Sequence, residues 1–278
     1  MIEFTKMQGC GNDYVYINED KEIIEDKALF TRKVSNRNFG VGSDGCIFIS
    51  STNDADVAME IYNVDGSEAA MCGNGIRCVA KYVYEKGIVN KDRIKIKTKS
   101  GIKNVDLNVE NGKVKNVKVN MGIPVFSTCT IGIKYPKDFV VNERFNILGE
   151  ELYLTILSIG NIHTVVFVED VDKVDINNFG AEIENLDIFE DRTNVEFVEI
   201  VDRENIKVRV WERGVGETLA CGTGATASVI AGYLNGYTEN ICNVYLKGGN
   251  LEVVYIDITN IAYLIGEAEF VYEGKLYI

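Results

Sequence analysis

Two cysteines 149 positions apart, Cys72 and Cys221, open runs of the same design. Cys72-Gly73-Asn74-Gly75 leads into an apolar stretch closed by Gly87, and Cys221-Gly222-Thr223-Gly224 into one closed by Gly236, 15 residues on in both cases (87−72 and 236−221). Small, glycine-rich residues behind a cysteine, and a glycine after the last apolar turn, are the start and stop signals of a helix. Shifting the sequence by 149 brings much more into register. Gly11-Asn12-Asp13-Tyr14 falls on Gly160-Asn161-Ile162-His163, Cys46-Ile47-Phe48-Ile49 on Val195-Glu196-Phe197-Val198, and Glu68 on Glu217. The alternating Ile102, Val105, Leu107 and Val109 fall on Leu251, Val254, Ile256 and Ile258, and Asn111 on Asn260, so that no gap is needed from residue 12 to residue 111. A period this long makes each copy domain-sized and rules out a solenoid. The expected architecture is α/β (α+β): two pseudo-symmetric domains from an internal duplication, each presenting a cysteine on a buried helix.

With 278 residues, 46% of them hydrophobic, the chain has enough apolar surface for two proper cores. It contains no apolar stretch of 18 residues, and its N-terminus, MIEFTKMQGCGNDY, is charged rather than signal-like, so a soluble, cytoplasmic protein with no membrane partner is expected. A net charge of −13 argues against nucleic acid and anionic membranes as partners. It leaves room for a small anionic substrate, because helix ends and arginines act locally. Seven cysteines is an odd number and no Cys-x-x-Cys spacing occurs, which fits neither a disulfide framework nor a structural metal site. Cys10, Cys46, Cys78, Cys129 and Cys242 read as small buried hydrophobes of a reducing compartment.

Along the chain, strands dominate. Phe4 to Asn18 carries a strand broken by the Gly9-Cys10-Gly11-Asn12 turn, residues 26–36 read as a helix, and Gly40 to Gly45 as a loop feeding the strand Cys46–Ser50. After Cys72, Ile76, Val79, Ala80 and Val83 make an apolar stripe, whereas the helix after Cys221 is apolar nearly all round and should be buried. Asn111-Gly112 between Val105–Glu110 and Lys113–Met121 is a type I′ hairpin signal. The seam falls near Gly122-Ile123-Pro124. One domain should comprise residues 1–122 with about 267–278, returning at the end of the chain, and the other residues 123–266.

A helix N-terminus offers unpaired N–H groups and about half a positive charge, which suits a carboxylate. A cysteine placed there is a tunable acid/base. Two such cysteines at matched positions, if brought to one substrate carbon, would remove a proton from one face and return one to the other. The substrate carboxylate would take the developing charge against the helix N–H groups, with no cofactor required. His163, the lone histidine, stands at a strand start aligned with Tyr14; Asn12, Asn63, Asn161 and Asn194 read as turn residues, three of them at element ends expected to face one cleft. Glu212-Arg213 either forms a buried salt bridge or lets Arg213 grip a second carboxylate bidentately.

These segments resemble the diaminopimelate epimerase family. They are Met7-Gln8-Gly9-Cys10-Gly11-Asn12-Asp13-Tyr14, Asn63 to Glu68, Cys72 to Cys78, Gly160-Asn161-Ile162-His163, and Glu212-Arg213-Gly214 through to Ala225. The resemblance implies two domains, each a β-barrel around a central helix with the site in the cleft, and epimerisation of LL- to meso-diaminopimelate for lysine and peptidoglycan synthesis. It implies Cys72 and Cys221 as the acid/base pair, with Gly73, Asn74, Gly222 and Thr223 on the reacting carboxylate. Asn12, Asn63, Asn161, Asn194, Glu212 and Arg213 would hold the distal amino-acid end, and His163 and Glu212 would tune the thiols. Gly45 stands where some members have a substrate-contacting Gln. Tyr272 matches a position associated with a homodimer contact. Ile162 and Glu190 stand where prolines are common in the family. The same superfamily holds cofactor-independent racemases of ordinary amino acids such as histidine, which is the alternative. Retention of all four asparagines and of Arg213 favours a substrate with a second charged amino-acid end. A non-catalytic anion-binding module is the remaining class.

Overall fold

A computed structural model describes residues 1–277. The chain divides into two compact units: Met1–Val119 with the residues from Gly266 onward, and Asn120–Ile265. The first contains β1 (Ile2–Gly9), β2 (Asn12–Asn18), α1 (Lys27–Val34), β3 (Gly45–Ser50), β4 (Val57–Asn63), β5 (Glu68–Ala69), α2 (Gly73–Glu85), β6 (Arg93–Thr98), β7 (Gly101–Glu110) and most of β8 (Lys113–Gly122). The second contains β9 (Val140–Ile147), β10 (Glu150–Ser158), β11 (Ile162–Val168), α3 (Ile176–Glu184), β12 (Asn194–Asp202), β13 (Asn205–Glu212), β14 (Gly216–Thr218), α4 (Gly222–Leu234), β15 (Ile241–Leu246), β16 (Gly249–Ile256) and β17 (Ile261–Gly266). The last strand, β18 (Glu269–Leu276), returns to the first unit and pairs antiparallel with β1. No helix among the described residues is long and apolar enough to cross a membrane.

Within the first unit the strands run β18-β1-β2-β3-β4-β6-β7-β8, with β2·β3 and β4·β6 parallel. The second runs β9-β10-β11-β12-β13-β15-β16-β17, parallel at β11·β12 and β13·β15. Strands near both ends of the second order, β10 and β16, touch α4, so that sheet curls around its helix; α2 likewise meets β1, β2, β6 and β7. The central strands are buried without a break, as in Gly45 to Ile49 and Asn194 to Val198, because both of their faces are covered. One face meets the central helix. The other meets α1 over Val15, Ile17, Phe30, Val34, Cys46 and Phe48, or α3 over Val166, Ile176, Ile183, Val195 and Phe197. Period-2 alternation then turns Tyr14, Tyr16, Ile47 and, in the other unit, His163 and Glu196 toward the central helix.

The duplication is visible in the pairings. Tyr14 stands opposite Gly45, and His163 opposite Asn194, each residue 149 from its counterpart. Both central helices have 13 residues and end the same way. Gly87 and Gly236 take φ of 70° and 73°. The next amide reaches back to the helix, Ile88 N to Val83 O and Tyr237 N to Gly232 O, both 2.9 Å, which is a Schellman closure.

Two sequence expectations need correcting. The ungapped register ends at the helices. β6 and β15 alternate identically from Arg93 and Ile241, an offset of 148, and Val105 and Leu107 therefore match buried Val253 and Tyr255 rather than Val254 and Ile256. One residue is missing from the second connection, where the loop is free to lose it. The apolar stripe of α2 is also too narrow: Ile76, Val79, Ala80 and Val83 are buried as expected, but so is every other residue from Gly73 to Ala80, Asn74 and Arg77 included.

Candidate active site

Each central helix begins at a cysteine. Cys72 (φ −140°, ψ 115°) and Cys221 (φ −125°, ψ 118°) are extended N-caps. Their Sγ atoms accept from the amide three residues on, Gly75 N at 3.2 Å and Gly224 N at 3.4 Å. Sulfur thus does what a serine or aspartate oxygen ordinarily does at this position. The first-turn residues Gly73, Asn74, Gly222 and Thr223 set their amides ahead of the intrahelical hydrogen-bond ladder, the usual cradle for a carboxylate.

The surroundings of the two sulfurs differ. Cys72 Sγ donates to Asn12 Oδ1 at 3.3 Å, while Asn12 Nδ2 donates to Asp44 Oδ2 at 2.9 Å. A carboxylate only accepts, so Asp44 fixes which end of the Asn12 amide faces the sulfur. Asp44 itself takes Asp13 N at 3.0 Å and Arg37 at 2.9 Å. Tyr14 lies deep beside this cysteine, its hydroxyl pushed well up by burial and next by the Cys72 sulfur.

Around Cys221 the neighbours are ionisable. Its Sγ is 3.3 Å from Thr223 Oγ1. Burial, then the carboxylates of Glu212 and Glu196, push the thiol well above the ordinary range, against the pull of the Thr223 hydroxyl and the Gly224 amide. Glu212 Oε1 accepts from Thr218 Oγ1 at 2.6 Å. His163 is fully buried between Glu196 Oε1, 2.7 Å from Nδ1, and Asn161 Oδ1, 3.0 Å from Nε2. Asn161, His163 and Glu196 thus form one hydrogen-bonded chain.

Other expected site residues are held by the framework. Asn194 is buried, with Nδ2 on Ile162 O at 2.8 Å and Oδ1 accepting from Arg213 N at 3.1 Å. Arg213 Nη1 rests on Asp191, 2.6 Å from its carboxylate and 2.7 Å from its carbonyl. Asn63 Nδ2 donates to Ser67 Oγ at 3.1 Å. Asn63 and Glu212 close β4 and β13 at equivalent positions, 149 apart. Gly45 is buried, and a Cβ built on it would lie 2.1 Å from Tyr62 O, so this backbone has no room for a side chain here. Tyr272, on β18, is half-exposed and packs edge-on against Phe4 at 5.8 Å.

Three residues of these surroundings escaped the sequence reading: Asp44, Arg77 and Glu196. Only Glu196 left a signal, since the repeat sets it on Ile47 within a strand of otherwise apolar residues.

The complete fold recurs in solved structures at low identity. The phenazine biosynthesis protein of the PhzF family from Bacillus anthracis superposes with a TM-score of 0.72 at 18% identity, covering 100% of this chain and 99% of that one. A probable proline racemase from Agrobacterium radiobacter K84 gives 0.68 at 13%, covering 100% and 93%. These define the fold class. Within it, the sequence matches the diaminopimelate epimerase family over residues 4–127 and 155–271, and the chain belongs to that family. It is 45% identical over 275 residues to the diaminopimelate epimerase of Acetivibrio thermocellus, covering 99% of this chain and 98% of that protein. It is 47% identical over 282 residues to that of Agathobacter rectalis, with 99% of both chains covered. To that of Methanothermobacter thermautotrophicus it is 46% identical over 282 residues, again 99% of each.

Proposed function

We propose that this protein is an isomerase that interconverts LL- and meso-diaminopimelate, in lysine biosynthesis, by two-base chemistry at Cys72 and Cys221. The observation that carries the reading is the matched pair of cysteine N-caps, each sulfur fixed by the amide three residues along its helix. The two units are the two copies of a duplicated domain, each supplying one of these caps to a common substrate. A thiolate takes the α-proton and a thiol on the other unit supplies a proton to the opposite face. The charge that develops moves into the α-carboxylate, which the first-turn amides at Gly73, Asn74, Gly222 and Thr223 stabilise. With that sink in place the reaction proceeds without pyridoxal phosphate.

Cys221, beside Glu212 and Glu196, enters as the thiol. In a pair of one thiol and one thiolate, half-buried Cys72 is then the starting base, once it has given up the proton it points at Asn12. His163 and Glu212 adjust the proton affinity at Cys221. Asn12, Asn63, Asn161, Asn194, Glu212 and Arg213 recognise the distal amino-acid end, for which Arg213 exchanges Asp191 for the substrate carboxylate; Gly45 contributes backbone only. The protein works in the cytoplasm as a homodimer with Tyr272 at the contact.

Incubation with LL-diaminopimelate in D₂O should place deuterium at the α-carbon of the meso product, with no exchange into L-histidine offered in parallel. Cys72→Ala and Cys221→Ala should each abolish net inversion. Absence of α-deuterium with the wild-type protein overturns the reading, and inversion surviving in either variant overturns the two-base assignment.

A further inference from the structure

We propose that Glu196 is a positioning residue of the site: its buried carboxylate locks the ring and the Nδ1 proton of His163, and so sets the polar wall beside Cys221. Both side chains are 0% exposed and 2.7 Å apart, on neighbouring parallel strands whose inner faces look at α4. Burying a carboxylate is unfavourable unless its oxygens are satisfied. Here Oε1 is used on His163, while Oε2 has no hydrogen-bond partner among the described residues. Packing alone therefore does not explain the residue.

The other half of the chain provides the comparison. At the equivalent positions it carries Ile47 for Glu196, Tyr14 for His163 and Gly75 for Gly224, each 149 apart. A Cβ on Gly75 would meet Ile47 Cδ1 at 2.6 Å, and a Cβ on Gly224 would meet Glu196 Oε1 at 2.5 Å, so the two side chains occupy the same place under the first turn of their helices. The fold is thus built equally well over an isoleucine. The carboxylate is present in the half where a histidine faces it, and an isoleucine stands there in the half that has a tyrosine.

The consequence is a defined proton. A carboxylate at Nδ1 accepts, so that nitrogen keeps its hydrogen, and Nε2 is directed at Asn161, one of the residues assigned above to the substrate, whose amide presents Nδ2 to a neutral ring and Oδ1 to a doubly protonated one. The charged and titratable groups facing this pair are Cys221 on the α4 cap and Glu212 at the end of β13. Without Glu196 the ring keeps only its Asn161 contact, and nothing fixes the proton on Nδ1.

His163 is the only histidine in the chain, so ¹⁵N-histidine labelling of the intact protein reports this ring alone. The wild-type spectrum should show Nδ1 protonated. Glu196→Ile, which copies the residue of the other half, should give an exchanging mixture of tautomers, and Glu196→Gln, should the isoleucine variant fold poorly, an altered Nδ1 shift. In both variants kcat should fall by at least about tenfold, as when an orienting carboxylate is removed from a catalytic histidine, with KM nearly unchanged. A bare Nδ1 in the wild type, or a ring spectrum unaltered by either substitution, overturns the lock; unchanged kcat overturns its purpose. The kinetic arm rests on the proposed stereoinversion, whereas the NMR arm does not. A wild type inactive on diaminopimelate with an intact Nδ1 lock would therefore fault the former alone.

Discussion

Gly224→Ala is the sharpest perturbation of the second cysteine site, because it adds one carbon at a place where the structure has a carboxylate. The new Cβ would sit 2.5 Å from Glu196 Oε1, 3.1 Å from Cδ and 3.2 Å from Cγ, whereas ordinary contact begins at 3.4 Å. The carboxylate has to retreat by 0.9 Å (3.4−2.5). If the whole retreat is away from the ring, the 2.7 Å bond to His163 opens to 3.6 Å, beyond hydrogen-bond range, which is the upper limit of the effect. Losing a buried, charge-assisted bond costs about 1.5–3 kcal/mol, and alanine returns about 1 kcal/mol of helix propensity, so the net loss is about 0.5–2 kcal/mol. The second unit has 146 residues (265−120+1). For a unit of that size such a loss lowers Tm by about 1–8 °C. The Gly224 amide still caps Cys221, so the sulfur itself stays in place. Thermal melts with parallel turnover measurements test this, and Glu196→Ala in the same chain should relieve the crowding, giving a strongly non-additive double mutant. A Gly224→Ala protein that melts and turns over like the wild type refutes the reasoning, since the carboxylate would then have room to give.

The remaining expectations concern burial elsewhere. Arg77 is 0% exposed and donates to Gly73 O (3.0 Å), Glu267 O (3.2 Å) and Cys10 Sγ (3.5 Å). Arg77→Met keeps the volume but removes the side-chain donors to Gly73 O, Glu267 O and Cys10 Sγ, and should cost about 1–3 kcal/mol in urea titrations, with Arg77→Lys recovering only part of it. Gly45→Ala puts a Cβ 2.1 Å from Tyr62 O and 2.9 Å from Tyr14 Cε1. Because the nearer obstacle is backbone, it should cost about 1–3 kcal/mol in the same titration. Burial raises the thiols of Cys46 and Cys78 to about 11 and that of Cys221 well upward. The folded state therefore keeps protons that the unfolded chain releases from about pH 8.5. That stability is complete below about pH 8.5 and drains away as pH rises toward 11, so Tm should decline across this window, and less so in Cys78→Ala relative to its own neutral value.

Much of the fold was legible because its punctuation is local. Asn111 and Gly112 take the positive φ of 51° and 75° that a type I′ turn requires, Asp26 caps α1 through Leu29 N at 2.8 Å, and Gly87 and Gly236 stop the central helices. The strands before β11 were not legible: β9 and β10, with Tyr153, Glu143 and Arg144 among their residues, carry too many polar side chains to separate from loop. Nor was the helix α3, its Ile176-Asn177-Asn178-Phe179-Gly180 being poor helix-forming sequence that closes against Trp211, whose ring leaves no space for a Cβ on Gly180. At the site, the caps were readable from spacing alone. What was not readable were partners that converge only in three dimensions: Asp44 on Asn12, Arg77 under Gly9, and Asp191 on Arg213.

The duplicated chain also carries an argument that neither half makes alone. Equal backbones hold the two sulfurs in equal geometry, 3.2 and 3.4 Å from their amides. Any difference in proton affinity must therefore come from side chains. On one side these are Asn12, Tyr14, Ile47 and Asn63, on the other Asn161, His163, Glu196 and Glu212, position for position. Three of the four pairs exchange a phenol, an alkyl group or an amide for an imidazole or a carboxyl group. A symmetric reaction needs only the shared geometry, since each sulfur must reach the same kind of carbon. The asymmetry decides which sulfur of a singly protonated pair keeps the proton at rest, and so which hand of substrate meets a base first. Replacing Ile47 by Glu should therefore be more damaging to turnover than to Tm if Gly75 is left to accommodate it, and the ratio of the two effects measures how far the proton inventory, rather than packing, depends on this one position.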